Sequence, residues 1–182
     1  EIDLPALRYW KRKVIGKLSG GLVSLSDGRS VQRIQGTAAF EGPDTVRVSG
    51  METVRIRFKN AIIAAGSEAI PLPGTAFAEG GRIMSSSGAL ALADIPETLL
   101  VVGAGYVGLE LGSVYAALGS RVTLVEMGKR ILPGLDADLV RPLAKRLEAS
   151  FHTMHLDARV AEMKETGDGV DVTFSGGIAP ET

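Results

Sequence analysis

The chain has 182 residues, with 20 Lys/Arg against 21 Asp/Glu and 45% hydrophobic residues, the proportions of a globular chain rather than a disordered one. It has no cysteine, which excludes a disulfide framework, a thiolate metal site and a redox dithiol within these residues. The longest uncharged stretch around the central glycines, Thr98–Leu109, falls well short of the ~20 residues a spanning helix needs, and the chain opens Glu1-Ile2-Asp3 with neither a signal peptide nor an initiator Met, so a segment of a longer protein is expected.

In chain order, residues 3–19 are predicted to form a helix. Leu4, Leu7, Val14 and Leu18 fall near one face, and Gly20-Gly21 is expected to stop it. From 31 to 65 the pattern shortens to strands. Val31–Ile34, Thr45–Val48 and Val54–Phe58 alternate apolar and polar residues, with turns at Gly42-Pro43-Asp44 and Ser49-Gly50. Ala61–Ala65 is apolar throughout and reads as a strand buried on both faces. The stiff run Ile70-Pro71-Leu72-Pro73-Gly74 marks a crossover between domains.

Beyond it, strand and helix alternate: strand Leu99–Val102, helix Val107–Leu118, strand Arg121–Glu126 and helix Leu139–Ala149. A hairpin, Val160–Met163 with Val170–Phe174 over Gly167-Asp168-Gly169, closes the pattern. Such alternation predicts a parallel sheet covered by helices. Pro142 conflicts with a helix interior, and a cap at Asp136 or Asp138 resolves this by placing it in or next to the first turn.

Glycine, at 23 of 182 residues, is well above its usual ~7% share without any triplet period, which directs attention to loops. The strongest motif is Gly103-Ala104-Gly105-Tyr106-Val107-Gly108. A GxGxxG is weak alone, but this one follows an apolar strand, opens a helix and precedes a second strand ending in Glu126. Gly103 permits the tight turn, Gly105 lets a diphosphate approach the backbone, and Gly108 with Gly112 lets the helix pack closely on the sheet. Glu126 is placed to accept hydrogen bonds from ribose hydroxyls and to repel a 2′-phosphate, which favours NAD over NADP despite Lys129 and Arg130 nearby.

Other constellations carry less. Residues 1–60 hold eleven Lys/Arg against six Asp/Glu and the remainder nine against fifteen, yet Lys11-Arg12-Lys13 reads as a solvated helix face and no nucleic-acid partner is expected. Tyr9 and Lys13 have a Tyr-x-x-x-Lys spacing on the wrong side of the nucleotide motif. His152 and His155, the only histidines, make a poor zinc site. Neither a nucleophile elbow nor a P-loop is present, and no catalytic acid, base or nucleophile stands out.

Leu99–Glu110, Val122–Glu126 and Ile131-Leu132-Pro133-Gly134 together resemble the NAD-binding domain of the flavoprotein disulfide reductases. Upstream, Trp10–Ile15, Leu18-Ser19-Gly20-Gly21-Leu22 and Asn60–Ser67 resemble the dihydrolipoamide dehydrogenase branch of bacterial 2-oxo acid dehydrogenase complexes. The resemblance implies an α/β, Rossmann-like FAD/NAD(P)-binding fold of three-layer ββα type, with residues 1–67 part of an FAD-binding domain and 68–182 an incomplete NAD-binding domain. It implies NAD along Gly103, Ala104, Gly105, Tyr106, Val107 and Gly108, ribose on Glu126, adenine near the backbone of Val160, and Glu110 beside the nicotinamide. Tyr106 matches a position that shields the flavin and is often Ile or Val in this branch; Tyr is more typical of the glutathione reductase branch.

FAD contacts map to Ala38 and to Ala65-Gly66-Ser67. The resemblance implies that the family's FAD fingerprint and Cys-x4-Cys pair would precede residue 1, and that its dimerisation domain with a His–Glu pair would follow Thr182. The implied whole protein is a cytoplasmic homodimeric oxidoreductase. It would oxidise dihydrolipoamide, carried on the acyltransferase of a 2-oxo acid dehydrogenase complex, through FAD to NAD, with no membrane partner; the 182 residues alone are expected to be inactive. A non-catalytic NAD-binding module, or a mercuric or glutathione reductase, is the alternative.

Overall fold

The structure, a computed structural model, describes residues 2–176. The chain divides into two units, Pro5–Glu68 and the residues from Ala69 onward together with the first four.

In the first unit, helix α1 (Leu4–Gly28) runs straight through Gly20-Gly21, nine residues beyond the expected end. Two glycines cost only about 1 kcal/mol each relative to Ala, and here neither leaves the helical conformation. The stop comes instead where Ser30 turns left-handed at φ 54: its N–H donates to the Asp27 carbonyl (3.0 Å), and that of Val31 to the Ser26 carbonyl (2.9 Å). This is the two-bond wrap-around closure that satisfies the last carbonyls of a helix. No residue of α1 is buried.

Strands β1 (Thr37–Phe40), β2 (Thr45–Ser49) and β3 (Thr53–Arg57) form an antiparallel meander with β2 in the middle. The register aligns Ala38, Val48 and Val54, and next to them Phe40, Val46 and Ile56, on one face. Arg47 and Arg55 oppose each other on the other face, and Glu41 bridges them, accepting from Arg55 Nε at 2.7 Å and Arg47 Nε at 3.0 Å. The Arg55 hydrogen bond is the largest influence on the Glu41 carboxyl; desolvation opposes it, and with the charges of Arg55 and Arg47 added the carboxyl is held below its ordinary value. Its contribution to folding is therefore present above the ordinary carboxylate pKa and is lost as the pH falls through the lowered one.

Two expected strands are absent. Val31–Ile34 and Ala61–Ala65 are coil, and Ile62 and Ile63 are 95% and 75% exposed. An apolar run becomes a strand only where a neighbour takes its N–H and C=O groups. Among the described residues no strand pairs with either segment; β2 already has both its neighbours.

The second unit starts with a Pro73-Gly74 turn, where Gly74 has φ +81 and the Thr75 N–H donates to the Leu72 carbonyl at 3.0 Å. Helix α2 (Ser86–Ala91), hidden in sequence by its Ser-Ser-Ser-Gly composition, is capped by Ser85 Oγ, which accepts from the Gly88 N–H. The predicted alternation follows: β4 (Thr98–Val102), α3 (Tyr106–Leu118), β5 (Arg121–Val125), α4 (Ala137–Ser150) and an unpredicted short strand β6 (Thr153–His155). These strands form a parallel sheet in the order β4-β5-β6. Strands β7 (Ala158–Glu165) and β8 (Val170–Gly176) form the antiparallel hairpin, β7 two residues longer than expected at each end and β8 two residues longer at its carboxyl end. The architecture is α/β and Rossmann-like.

Leu109, Tyr115, Val122, Leu124, Val125, Val140, Leu147 and Phe151 form the core of this unit. Burial, reinforced by the charge of Asp94, raises the pKa of the Tyr115 phenol, which donates to the Ala89 carbonyl (2.9 Å) and so ties α3 to α2. Asp136 occupies the N-cap of α4 without a side-chain bond, which puts Pro142 in the second turn, just past the expected position in or next to the first. Only the bond to the Asp138 carbonyl is missing there, at an exposed position open to water.

Candidate functional site

Strands β4 and β5 run parallel, with Gly103–Gly108 just beyond the carboxyl end of the first and Glu126 just beyond that of the second. Gly103 follows β4 with φ +100, a left-handed conformation that favours glycine, and its N–H donates to the Val125 carbonyl of β5 at 2.8 Å. The chain then turns into α3 with Gly105 as N-cap.

Gly105 and Gly108 are both glycine, for opposite reasons. A Cβ on Gly108 would lie 2.2 Å from the Gly103 carbonyl oxygen and 3.2 Å from Val101 Cγ1, so the helix reaches this close only without a side chain. Gly112, one turn on, plays the same part against Phe151 (2.9 Å) and Val101 (3.4 Å). A Cβ on Gly105 would meet nothing within 4 Å, and its φ of −74 suits any residue. The protein's own packing does not require glycine there; an approaching ligand would.

No side chain caps α3. Its first N–H groups and the positive end of its dipole face an open surface: Gly105, Tyr106 and Val107 are exposed, Tyr106 by 72%. Such an end attracts an anion.

Glu126, just after β5, is half-buried and held at both oxygens. Its Oε2 accepts the Ala104 N–H at 2.8 Å and its Oε1 the Gly128 N–H at 2.6 Å. Its backbone is fixed as well, the N–H donating to the His155 carbonyl of β6 (2.8 Å) and the carbonyl accepting from the Ala158 N–H of β7 (3.0 Å). Each carboxylate oxygen keeps acceptor capacity, which suits a vicinal diol.

The structure thus brings together Gly103–Gly108, Glu126 and the start of β7, where Val160 lies half-buried two residues beyond Ala158, at an irregularity of the ladder. Ala104 is fully buried, with its N–H on Glu126 and its carbonyl accepting from Leu132 (3.0 Å). Glu110 is exposed on the second turn of α3. In the other unit, Ala38 on β1 and Ala65–Ser67 in coil are all exposed, and no hydrogen bond joins the two segments. Lys129 and Arg130 are exposed, and the Arg130 guanidinium bonds the carbonyl of Pro133 in its own loop (2.9 Å). His152 is exposed and His155 lies at the end of β6; no metal-binding cluster occurs among the described residues.

Sequence reasoning missed Gly128 and Leu132, whose N–H groups complete the loop's support. A glycine two residues after the strand-end acid was the available signal for the first.

A strand, a glycine turn, an uncapped helix and a strand-end acid are arranged here in the order that dinucleotide-binding α/β units share. Residues 2–179 match the family model described as pyridine nucleotide-disulphide oxidoreductase, and the chain belongs to that family. Among its relatives, the dihydrolipoyl dehydrogenase of Vibrio parahaemolyticus is 40% identical over 181 residues, which is 99% of this chain and 38% of that protein. That of Bacillus subtilis is 39% identical over 175 residues, 95% of this chain and 37% of that one. Among solved structures, LpdA from Mycobacterium tuberculosis superposes with a TM-score of 0.84 at 26% identity, covering 96% of this chain and 40% of that one. The HOCl-induced flavoprotein disulfide reductase RclA from Escherichia coli gives 0.77 at 27% identity, covering 91% and 38%. The chain therefore spans two fifths or less of the length of these proteins. No helix among the described residues is long and apolar enough to cross a membrane.

Proposed function

We propose that residues from 68 onward are the NAD-binding part of a dihydrolipoyl dehydrogenase and that residues 1–67 are part of its FAD-binding domain. The observation that carries the first half is Gly105: it faces open space at an uncapped helix end, where the protein's own packing leaves room for a Cβ that an approaching diphosphate would meet. The residues present fit a dinucleotide. The N–H groups of Gly105, Tyr106, Val107 and Gly108 would hold the diphosphate, Glu126 the adenosine ribose, and the backbone around Val160 the adenine. Glu110 would lie toward the nicotinamide. NAD is favoured over NADP because a fixed carboxylate opposes a 2′-phosphate. Ala38 and Ala65–Ser67 would touch FAD.

Bound, NAD supplies the two-electron acceptor and FAD the relay in a net reaction that converts dihydrolipoamide and NAD⁺ to lipoamide, NADH and a proton. What this chain's residues contribute is binding and orientation. The dithiol substrate would be carried on the acyltransferase of a 2-oxo acid dehydrogenase complex, and the whole protein would be a cytoplasmic homodimer; the identities to dihydrolipoyl dehydrogenases support that reading. With no cysteine, the 182 residues alone are expected to show no dihydrolipoamide–NAD turnover.

A melting experiment with a flavin spectrum tests the assignment. The purified chain is expected to be colourless, since Ala38 and Ala65–Ser67 offer too little to offset the ~4–15 kcal/mol cost of immobilising a ligand. Its melting temperature is expected to rise with excess NAD. A melting temperature indifferent to millimolar NAD would contradict the assignment of the second unit, and a yellow protein with stoichiometric FAD would contradict the expectation that Ala38 and Ala65–Ser67 are too few contacts to hold a flavin.

A further inference from the structure

The Glu126 carboxylate does something that reading a ribose does not require. Both its oxygens are engaged by the protein itself, one by the Ala104 N–H inside the glycine loop and one by the Gly128 N–H in the following segment. Ala104 is fully buried, and its carbonyl is held from the same segment by Leu132. Gly103, one residue earlier, is tied to Val125. The backbone from Gly103 to Ala104 is thus fixed at three points, and the exposed face begins at Gly105.

We infer that Glu126 is a positioning residue for the phosphate loop as well as a reader of the ribose: its carboxylate, clamped between the Ala104 and Gly128 N–H groups, sets the loop before a ligand arrives. This deepens the assignment of the site to NAD and rests on it. Two consequences follow from the chemistry. The Ala104 N–H is withdrawn from the anion site, so a diphosphate is bound by groups from Gly105 onward. With one N–H already on each oxygen, the carboxylate has one further acceptor direction on each, enough for one vicinal diol. A carboxylate held by two backbone bonds also cannot swing aside to relieve repulsion from a 2′-phosphate, as a free surface acid would. Gly128 belongs to the same device, since a Cβ there would press on Glu126 Oε1 at 3.0 Å.

A ligand without ribose hydroxyls separates the two roles. Wild-type chain and Glu126→Ala are titrated with NAD and with its analogue lacking both the 2′- and 3′-hydroxyls of the adenosine ribose, and amide hydrogen exchange at Ala104 is followed without ligand. An acid that only reads hydroxyls costs nothing when lost against a ligand that has none. The expected result is that wild type prefers NAD to the analogue about tenfold, and that Glu126→Ala binds the analogue about tenfold more weakly than wild type does, the scale of one lost charge-assisted hydrogen bond. Exchange at Ala104 is expected to accelerate at least about tenfold in the variant. Equal binding of the analogue by both proteins, with Ala104 equally protected, would overturn the positioning role and leave the ribose role standing. A wild type that does not prefer NAD over the analogue would overturn the ribose reading and this inference with it. Glu126→Gln, of the same length but with one carbonyl oxygen, is the second variant should Ala misfold. It is expected to fall between the two, and wild-type behaviour in both measurements would again overturn the positioning role.

Discussion

Gly108→Ala is expected to destabilise the unit from Ala69 onward by roughly 3 kcal/mol, the upper end of the cost of overpacking, and to abolish detectable NAD binding with it. The added Cβ would lie 2.2 Å from the Gly103 carbonyl oxygen, a backbone atom that cannot rotate away. Moving it would disturb the Gly103 N–H bond to Val125 and the turn at φ +100. Gly105→Ala is the control. Its Cβ enters open space, so the melting temperature should stay within a degree or two of wild type while NAD affinity falls, because only the ligand competes for that volume. Circular-dichroism melts and NAD titrations of both variants check this. Equal destabilisation by the two substitutions would mean that the loop is packed differently from this account.

Glu126→Arg is expected to weaken NAD binding on the order of 100-fold and to move the NAD/NADP preference toward NADP by ~1–3 kcal/mol. Sequence alone treats this exchange as a lost ribose contact and a relieved repulsion. The structure adds a cost, because the variant also loses the acceptors for the Ala104 and Gly128 N–H groups. Its affinity for NADP should therefore remain below that of wild type for NAD even as the preference shifts. Calorimetric titration with both nucleotides tests it; an unchanged ratio would place the ribose elsewhere.

What could be read from sequence, and what could not, divides along the chain. From Thr98 to Gly176 the periodicities announce every element except the three-residue strand β6, because each strand has its neighbour and each helix its sheet within these residues. The turn at Gly103 and the close approach at Gly108 follow from residue type at fixed spacing. The clamp on Glu126 is only half announced: Gly128 stands where a Cβ would press on the acid, but the donor at 104 is a backbone N–H that any non-proline residue could supply. In the first unit, Val31–Ile34 and Ala61–Ala65 carry strand composition but no pairing partner among the described residues, so the pattern describes a burial that does not occur. Gly20-Gly21 failed as a stop because a helix ends where carbonyls find other donors. That happens at Ser30, a residue whose left-handed turn no composition rule announces.

The central claim is that Gly103–Gly108 with Glu126 forms the cradle of an NAD molecule, and amide chemical-shift mapping of the labelled chain during an NAD titration tests it most directly. Saturable shifts are expected at Gly105–Leu109, Glu126 and Ala158–Val160, with Pro5–Glu68 essentially silent. Shifts centred within Pro5–Glu68, or none at millimolar NAD in a folded sample, would contradict it.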